Sequence, residues 1–318
     1  MKIGLDIMGG DYAPKAAVLG AIEAHSELDS EDKLVLIGDE TEAKTLLAEA
    51  NFDNSLFEYV HTTEVISMGE HPTKAITQKP NSSISVGFQL LKEGQIDAFS
   101  SAGNTGAMLV GAMFSVKPIQ GVSRPAIATY VPHLKAGYGI MLDVGANADC
   151  KPDHLLQFGI LGSLYLEHIF GTESPNVCLL NIGEEKEKGN MLTIAAHQLL
   201  RDNKLIHFKG NIEGRDIFND DVDVVVCDGF TGNVVLKLAE SFYTITHKKK
   251  MTDDFFERFN YENYGGSPIL GINAPVVIGH GISNPKAIKN MVLLSRTMKE
   301  SKFIDKVKAA FNQEKTNV

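Results

Sequence analysis

The sequence predicts an α/β protein, a three-layer α/β/α arrangement around a largely parallel sheet. Three observations carry that reading. Short apolar, β-rich runs alternate with helical segments almost from end to end, the pattern of βαβ units with helices on both sheet faces. Five of the apolar runs end in short turns built from Gly, Asn, Asp, Ser or Thr. No low-complexity tract or fixed-period repeat breaks the alternation.

Strands are predicted at 2–7, 34–37, 56–60, 96–101, 126–131, 138–144, 176–182, 205–208, 222–227 and 275–279. Helices are predicted over 14–25, 41–50, 83–93, 105–116, 153–170, 190–202, 232–247, 285–299 and 302–312. Local signals mark several of their ends. Asp39 stands at the entrance to 41–50 as a cap or turn residue, and Asn81, Ser82 and Ser83 precede 83–93 in the manner of an N-cap. Asn104 and Thr105 open 105–116, and Thr231 and Asn233 open 232–247, as caps or as ligand-facing groups. His247, Lys248, Lys249 and Lys250 close that last helix, where cations complement the dipole.

Composition narrows the class. At 318 residues, with 43% hydrophobic and 22% charged, the chain is an ordinary globular protein of one large or two smaller domains. Thirty Lys and Arg against forty Asp and Glu leave a formal charge of −10. With no long basic tract, nucleic acid is excluded as a partner. No run of 18 uncharged apolar residues occurs; 155–170 comes nearest, interrupted by Gln157, Glu167 and His168. The opening MKIGLDIMGGD reads as strand and turn, with Asp6 where a signal peptide would be apolar, so a cytoplasmic protein is expected. Three cysteines make no disulfide framework. Cys178 and Cys227 lie in apolar runs as core residues, and Cys150 follows a turn without a His–Asn pattern to activate it. No CxxC or HExxH spacing suggests a metal, and no GxxxxGK[ST] or GxGxxG suggests a nucleotide.

The turns carry the chemistry. They are DIMGGD at 6–11, SAGNTGA at 101–107, DVGAN at 143–147, CDGFTGN at 227–233 and GHGISN at 279–284, with NIGEE at 181–185 a weaker sixth. In a parallel sheet such turns gather at the carboxyl edge, where open α/β folds bind ligands. Glycine lets a ligand approach the backbone, and a helix start offers unpaired amides and a positive dipole end. SAGNTGA and DGFTGN are both expected to bind anions or carbonyls. Lys79 is either solvated surface or the completion of a phosphate site, and Arg124 is either a surface charge or an anion clamp. His280, between two glycines at a strand end, is the preferred titratable residue of this edge.

In this order the turns resemble the bacterial phosphate acyltransferase family, the PlsX-type acyl carrier protein:phosphate transacylases. DIMGGDYAP at 6–14, NSS at 81–83, SAGNTGA, RPA at 124–126, DVGAN and LLNIGEEKEKGN at 179–190 match in turn. GNIEGRDI at 210–217, DGFTGN, YGGSPILGIN at 264–273 and GHGISN complete the series across nearly the whole chain.

The resemblance implies a fold similar to phosphotransacetylases and isocitrate/isopropylmalate dehydrogenases, with two subdomains around a cleft. By that analogy 1–115 with 270–318 form the first subdomain and 116–269 the second. It implies transfer of a long-chain acyl group from acyl carrier protein to inorganic phosphate, without metal or cofactor, and a homodimer. The acyl phosphate would supply a membrane glycerol-3-phosphate acyltransferase.

Implied substrate contacts are Gly9, Gly10, Asp11, Lys79, Ser82, Ser83, Gly103, Asn104, Thr105, Gly106, Arg124, Asp143, Asp228, Thr231, Gly232 and Asn284. Of these, the 101–107 turn and Lys79 are the phosphate cradle, with Arg124 as helper. Asn233 or Asn147 would stabilise the oxyanion, and His280 would protonate the thiolate or orient ligands. Lys248, Lys249, Lys250 and Arg258, joined by Lys135, would dock the acidic carrier. Phe255, Phe256 and Phe259 offer a small apolar face for peripheral membrane contact.

Rivals are a short-chain phosphotransacetylase using coenzyme A, a metal-dependent dehydrogenase of the related fold, and a noncatalytic carrier-binding scaffold. The dehydrogenase lacks its carboxylate and arginine clusters, and a scaffold has no need of five anion-ready turns.

Overall fold

Lys2–Asp6 buries four consecutive residues, as a strand covered by helices on both faces does. It begins the first of two compact units in a computed structural model that describes residues 1–251 and 253–316. Met1–Pro118 with Tyr261–Glu300 form the first unit, and Ile119–Asn260 with the segment from Ser301 onward form the second.

The first unit runs β1 (Lys2–Asp6), α1 (Lys15–His25), β2 (Lys33–Gly38), α2 (Glu40–Glu49), β3 (Glu58–His61) and α3 (Pro72–Gln78). It continues with α4 (Ser83–Lys92), β4 (Ala98–Ser101) and α5 (Thr105–Gly111). The second unit contributes β5 (Ala126–Pro132), β6 (Tyr138–Leu142), α6 (Pro152–Tyr165), β7 (Asn176–Leu180) and α7 (Met191–Asp202). Then come β8 (His207–Ile212), β9 (Val224–Val226), α8 (Gly229–Lys249) and α9 (Asp254–Glu257). The chain returns to the first unit as β10 (Ser267–Leu270), β11 (Val276–Ile278) and α10 (Pro285–Glu300), and closes the second with α11 (Phe303–Thr316).

In the first unit the strand order is β3-β2-β1-β4-β11-β10. All neighbours are parallel except β10 against β11. In the second the order is β5-β6-β9-β7-β8, parallel except β5 against β6. Parallel pairing puts the turns after β1, β4 and β11 at one edge of the first sheet, and those after β6, β7 and β9 at one edge of the second. α/β layering with a mostly parallel, open sheet is therefore the architecture, as the alternation predicted.

Three elements escaped the sequence pattern, among them the four-residue α9. β10 carries Pro268 and is flanked by Gly266 and Gly271, which read as loop, yet it pairs Ser267 with Ile278 in an antiparallel ladder. α3 is a seven-residue, polar helix opened by Pro72. The long helices predicted at 105–116 and 153–170 are α5 and α6, each extended by a π-helical turn, Ala112–Val116 and Leu166–Phe170.

Residues from 301 onward sit with the second unit, not in the first subdomain that 270–318 was expected to join. Phe303, Val307 and Phe311, spaced four apart, are buried, and Phe303 stacks edge-on against Tyr165 of α6 at 5.6 Å. A helix with such a stripe goes where an apolar partner exists. Residues 261–269, expected in the second subdomain, lie in the first unit, where Asn290 of α10 donates to the Glu262 carbonyl at 2.7 Å.

Candidate functional site

At the first unit's edge three turns are tied together. Asp6, at the end of β1, is buried; its carboxylate accepts from the Ser101 hydroxyl at 2.6 Å and the Met8 amide at 2.9 Å. Burial pushes this carboxyl above the usual range, against hydrogen bonds from Ser101, Ser83, Met8 and Gly9 that favour the ionised form. Ser101 in turn accepts from the Gly103 amide at 2.9 Å. A Cβ on Gly9 would lie 2.6 Å from the Gly103 nitrogen, so backbone meets backbone here only because residue 9 is glycine. The Asp11 amide donates to the Gly281 carbonyl at 2.7 Å, bringing in the 279–284 turn.

Asn104 is committed to structure. Its Oδ1 caps α5 through the Ala107 amide at 2.9 Å, and its Nδ2 donates to the carbonyls of Ser67, Met68 and Glu70 at 3.0, 3.0 and 3.1 Å. The expectation that this side chain touches substrate is thereby corrected: what the turn exposes are backbone amides. Those of Thr105 and Gly106 have no hydrogen-bond partner among the described residues. Lys79 is likewise engaged, with Nζ 2.6 Å from Glu70 Oε1 and 2.8 Å from the Val65 carbonyl. That hydrogen bond holds the Glu70 carboxyl below the usual carboxylate range. Ser82 caps α4, accepting from the Ser85 amide at 3.3 Å, and Ser83 is buried against Asp6. Asn284 caps α10 through the Ala287 amide at 3.0 Å. In this structure Ser82 and Asn284 serve as helix caps and Ser83 packs on Asp6. His280 is half-buried, its ring tilted on Tyr261 at 4.7 Å.

The second unit repeats the scheme with different endings. Asp143, after β6, is buried and accepts from the amides of Ile127, Ala146 and Asn147 at 3.1, 3.1 and 2.6 Å. Asn147 Nδ2 adds a fourth bond at 2.8 Å. Burial again pushes this carboxyl up. Enclosed and saturated, Asp143 organises its turn; it does not reach a ligand, as had been expected. The second hydrogen of Asn147 Nδ2 goes to the Pro125 carbonyl at 2.8 Å, so Asn147 has no donor left for an oxyanion. Asn233 is exposed and donates to the Val144 carbonyl at 3.2 Å. Its amide group holds one further hydrogen. A Cβ on Gly232 would lie 1.9 Å from the Asp143 carbonyl oxygen, so the α8 start leans directly on that turn.

Asp228 changes the reading of DGFTGN. Its carboxylate accepts from the Thr231 amide and hydroxyl, both at 2.8 Å. The positive end of α8 therefore already faces a negative charge, which counts against the expectation that this turn binds an anion.

Of the remaining expectations, Arg124 is exposed; burial and its nearby charge hold His154 below the usual histidine range. Lys248, Lys249 and Lys250 are exposed at the end of α8, and Lys135 pairs with Asp220 at 3.1 Å. Arg258 donates to the carbonyls of Asp254, Gly137 and Leu134 at 3.3, 3.4 and 3.3 Å and lies over the Phe255 ring. It is an anchor for α9 rather than a free docking cation. Phe255 and Phe259 join Phe218 in an edge-to-face cluster at 5.8 and 5.4 Å, which packs part of the apolar face expected for membrane contact and leaves Phe256 half-buried. No helix among the described residues is long and apolar enough to cross a membrane.

Cys178 and Cys227 are buried, and burial with nearby Asp143 pushes the Cys150 thiol up to about 12, leaving no reactive thiolate. Among the described residues one trio of carboxylates, Asp29, Asp32 and Glu300, is close enough to share an ion. Arg296 Nε lies 2.9 Å from both Asp32 and Glu300, so a guanidinium already stands there. Sequence reasoning missed Ser101 and Glu70. Ser101 lies inside the SAGNTGA motif, whereas nothing local marks Glu70.

Comparison with known proteins bears on this arrangement. The model of the family described as "Fatty acid synthesis protein" matches residues 1–248 and 244–306. A phosphate acyltransferase of Dictyoglomus turgidum is 42% identical over 98% of both chains. One of Pelotomaculum thermopropionicum is 43% identical over 98% of this chain and 95% of its own. Among solved structures, a phosphotransacetylase from Streptococcus pyogenes superposes with a TM-score of 0.68 at 16% identity, over 96% of this chain and 94% of its own; at that identity the likeness is one of fold. The chain belongs to the PlsX-type phosphate acyltransferase family and is an acyltransferase.

Proposed function

We propose that the chain transfers a long-chain fatty acyl group from the thioester of acyl carrier protein to inorganic phosphate. The observation that supports this most is the 101–107 turn: the free amides of Thr105 and Gly106 follow a neutral Asn104 cap, and no carboxylate caps the helix that they open.

Inorganic phosphate carries ionised oxygens at neutral pH, so the nucleophile needs no strong general base. One of its oxygens attacks the thioester carbonyl carbon, and the electron pair of the C=O bond moves onto oxygen. The tetrahedral oxyanion collapses, the C–S bond breaks, and acyl phosphate and thiolate leave. With a thiol pKa of about 8.5 the leaving group needs little acid help. The protein's task is placement and charge stabilisation. Gly9, Gly10, Asp11 and Gly103 shape the backbone around the phosphate cradle. Lys79 joins it once it leaves Glu70, and His280 returns a proton to the thiolate or orients ligands.

The exposed Lys248, Lys249 and Lys250 are the docking patch for the acidic carrier. A homodimer fits the face of α8, a 21-residue helix that exposes Phe230, Val234, Leu238 and Ile245 in one stripe. The product, a mixed anhydride, goes to a membrane glycerol-3-phosphate acyltransferase, with the chain working in the cytoplasm or at the inner membrane face.

The test mixes the protein with palmitoyl-acyl carrier protein and phosphate, without added metal, and follows thiol and acyl phosphate. Phosphate-dependent turnover is expected. Turnover of acetyl-coenzyme A alone would move the reaction to short-chain phosphotransacetylation, and silence of folded protein in both would leave a carrier-binding scaffold.

A further inference from the structure

The loops that follow β7 and β9 line an open cavity of about 310 Å³, at the small end of the roughly 300–1,000 Å³ of small-molecule sites. Asn181, Asn190, Thr193, Asp228 and Thr231 line it, with Leu155 among its apolar contacts and no cation. A free phosphate would face the Asp228 carboxylate unscreened. An acyl chain would strip water from amides and hydroxyls and give them nothing in return. The lining suits a narrow, neutral ligand that carries its own amides.

One group stands ready for such a ligand. Asn190 Oδ1 caps α7 through the Thr193 amide at 2.9 Å, while its Nδ2 makes no hydrogen bond among the described residues. Asp228, although it holds Thr231, keeps lone pairs for a further donor. Beside these polar groups stand Ile182 and Met191, 80% and 90% exposed, as apolar cover without a partner of their own.

We propose that this cavity receives the pantetheine arm of the acyl donor, a neutral chain of two amides, a hydroxyl and a gem-dimethyl group. Asn190 Nδ2 donates to an amide carbonyl of the arm, Asp228 accepts from an N–H or O–H, and Ile182 and Met191 cover the methyl groups. The inference rests on the transacylase reading, because only a thioester donor of that kind brings such an arm.

Asn190→Asp keeps a good helix cap while removing the donor, and Asn190→Ser keeps the cap without the amide. With palmitoyl-pantetheine as donor, either change should raise KM for the thioester about three- to tenfold, the loss of one neutral hydrogen bond. KM for phosphate and kcat should stay within about twofold on the same reasoning. With the palmitoyl thioester of propanethiol, which has no amide, the variants should match the parent protein. Equal KM values for palmitoyl-pantetheine in all three proteins would overturn the inference. A parent protein that consumes neither thioester would overturn the transacylase reading instead. Saturation-transfer NMR with free pantetheine then decides the cavity: a signal lost in Asn190→Asp supports it, and a signal in both proteins or in neither refutes it.

Discussion

The turns SAGNTGA and CDGFTGN are spelled almost alike, each running from a strand through Thr-Gly into a helix, and each stands beside a buried carboxylate, Asp6 or Asp143. Their caps make them opposites. Asn104 closes the first with a neutral amide, and Asp228 closes the second with a carboxylate. A helix start is an anion site only where its own cap leaves the positive end uncompensated. On the reading proposed above, phosphate takes the first turn and the second is left for neutral, hydrogen-bonding groups.

The largest difference between them should appear on adding one methyl group. Gly232→Ala drives a Cβ to 1.9 Å from a backbone carbonyl oxygen that cannot yield. Gly106→Ala, in the other Thr-Gly pair, meets the Pro72 ring at 2.3 Å. Urea unfolding should show a loss of about 3 kcal/mol for the first and about 1 kcal/mol for the second. Equal losses would mean that the two helix starts are equally free to move.

Exchanging the caps comes next. Asn104→Asp should raise KM for phosphate about ten- to a hundredfold by putting like charge beside the cradle, with some loss of stability as the bonds to Ser67, Met68 and Glu70 go. Asp228→Asn should change that KM less than about threefold, since an exchanged hydrogen bond is worth little there. If Asp228→Asn lowered KM for phosphate strongly, the second turn would be an anion site after all.

The two buried carboxyls set a pH dependence that is smaller but of definite sign. Both are pushed above the usual range by burial. The folded chain thus holds protons that the unfolded chain releases at pH about 4. Stability from these groups is fully present below that value and is lost as pH rises through the raised folded values. Unfolding of Asp6→Asn should show a shallower fall than the parent across that window; an identical slope would remove Asp6 from the account. The smallest effect is expected from Glu70→Gln, which releases Lys79 and should lower KM for phosphate about twofold, in keeping with a half-exposed pair.

Much of this was legible in the chain. The alternation of strands and helices placed ten strands near their observed positions, and the glycine-rich turns follow strand ends as expected. What the alternation missed was β10, hidden by Pro268, and the short α3 and α9. The site was legible by position and much less by role. Asn104, Asn147, Asp143, Ser82 and Asn284 sit where polar chemistry was expected, yet their hydrogen bonds go to backbone groups and to neighbouring side chains. Arg258 is held by carbonyls of the 134–137 loop, more than a hundred residues away in sequence.

The sequence by itself determined where the turns fall, which residues stand in them and which family their order matches, because strand periodicity, glycine and capping residues act over a few neighbours. Only the tertiary structure decided which of those polar groups remain unpaired. Lys79 meets Glu70, Asn104 meets the 67–70 carbonyls and α11 joins α6 because buried donors and apolar stripes must find partners in space. That requirement is met by whatever the fold brings near, at any distance along the chain.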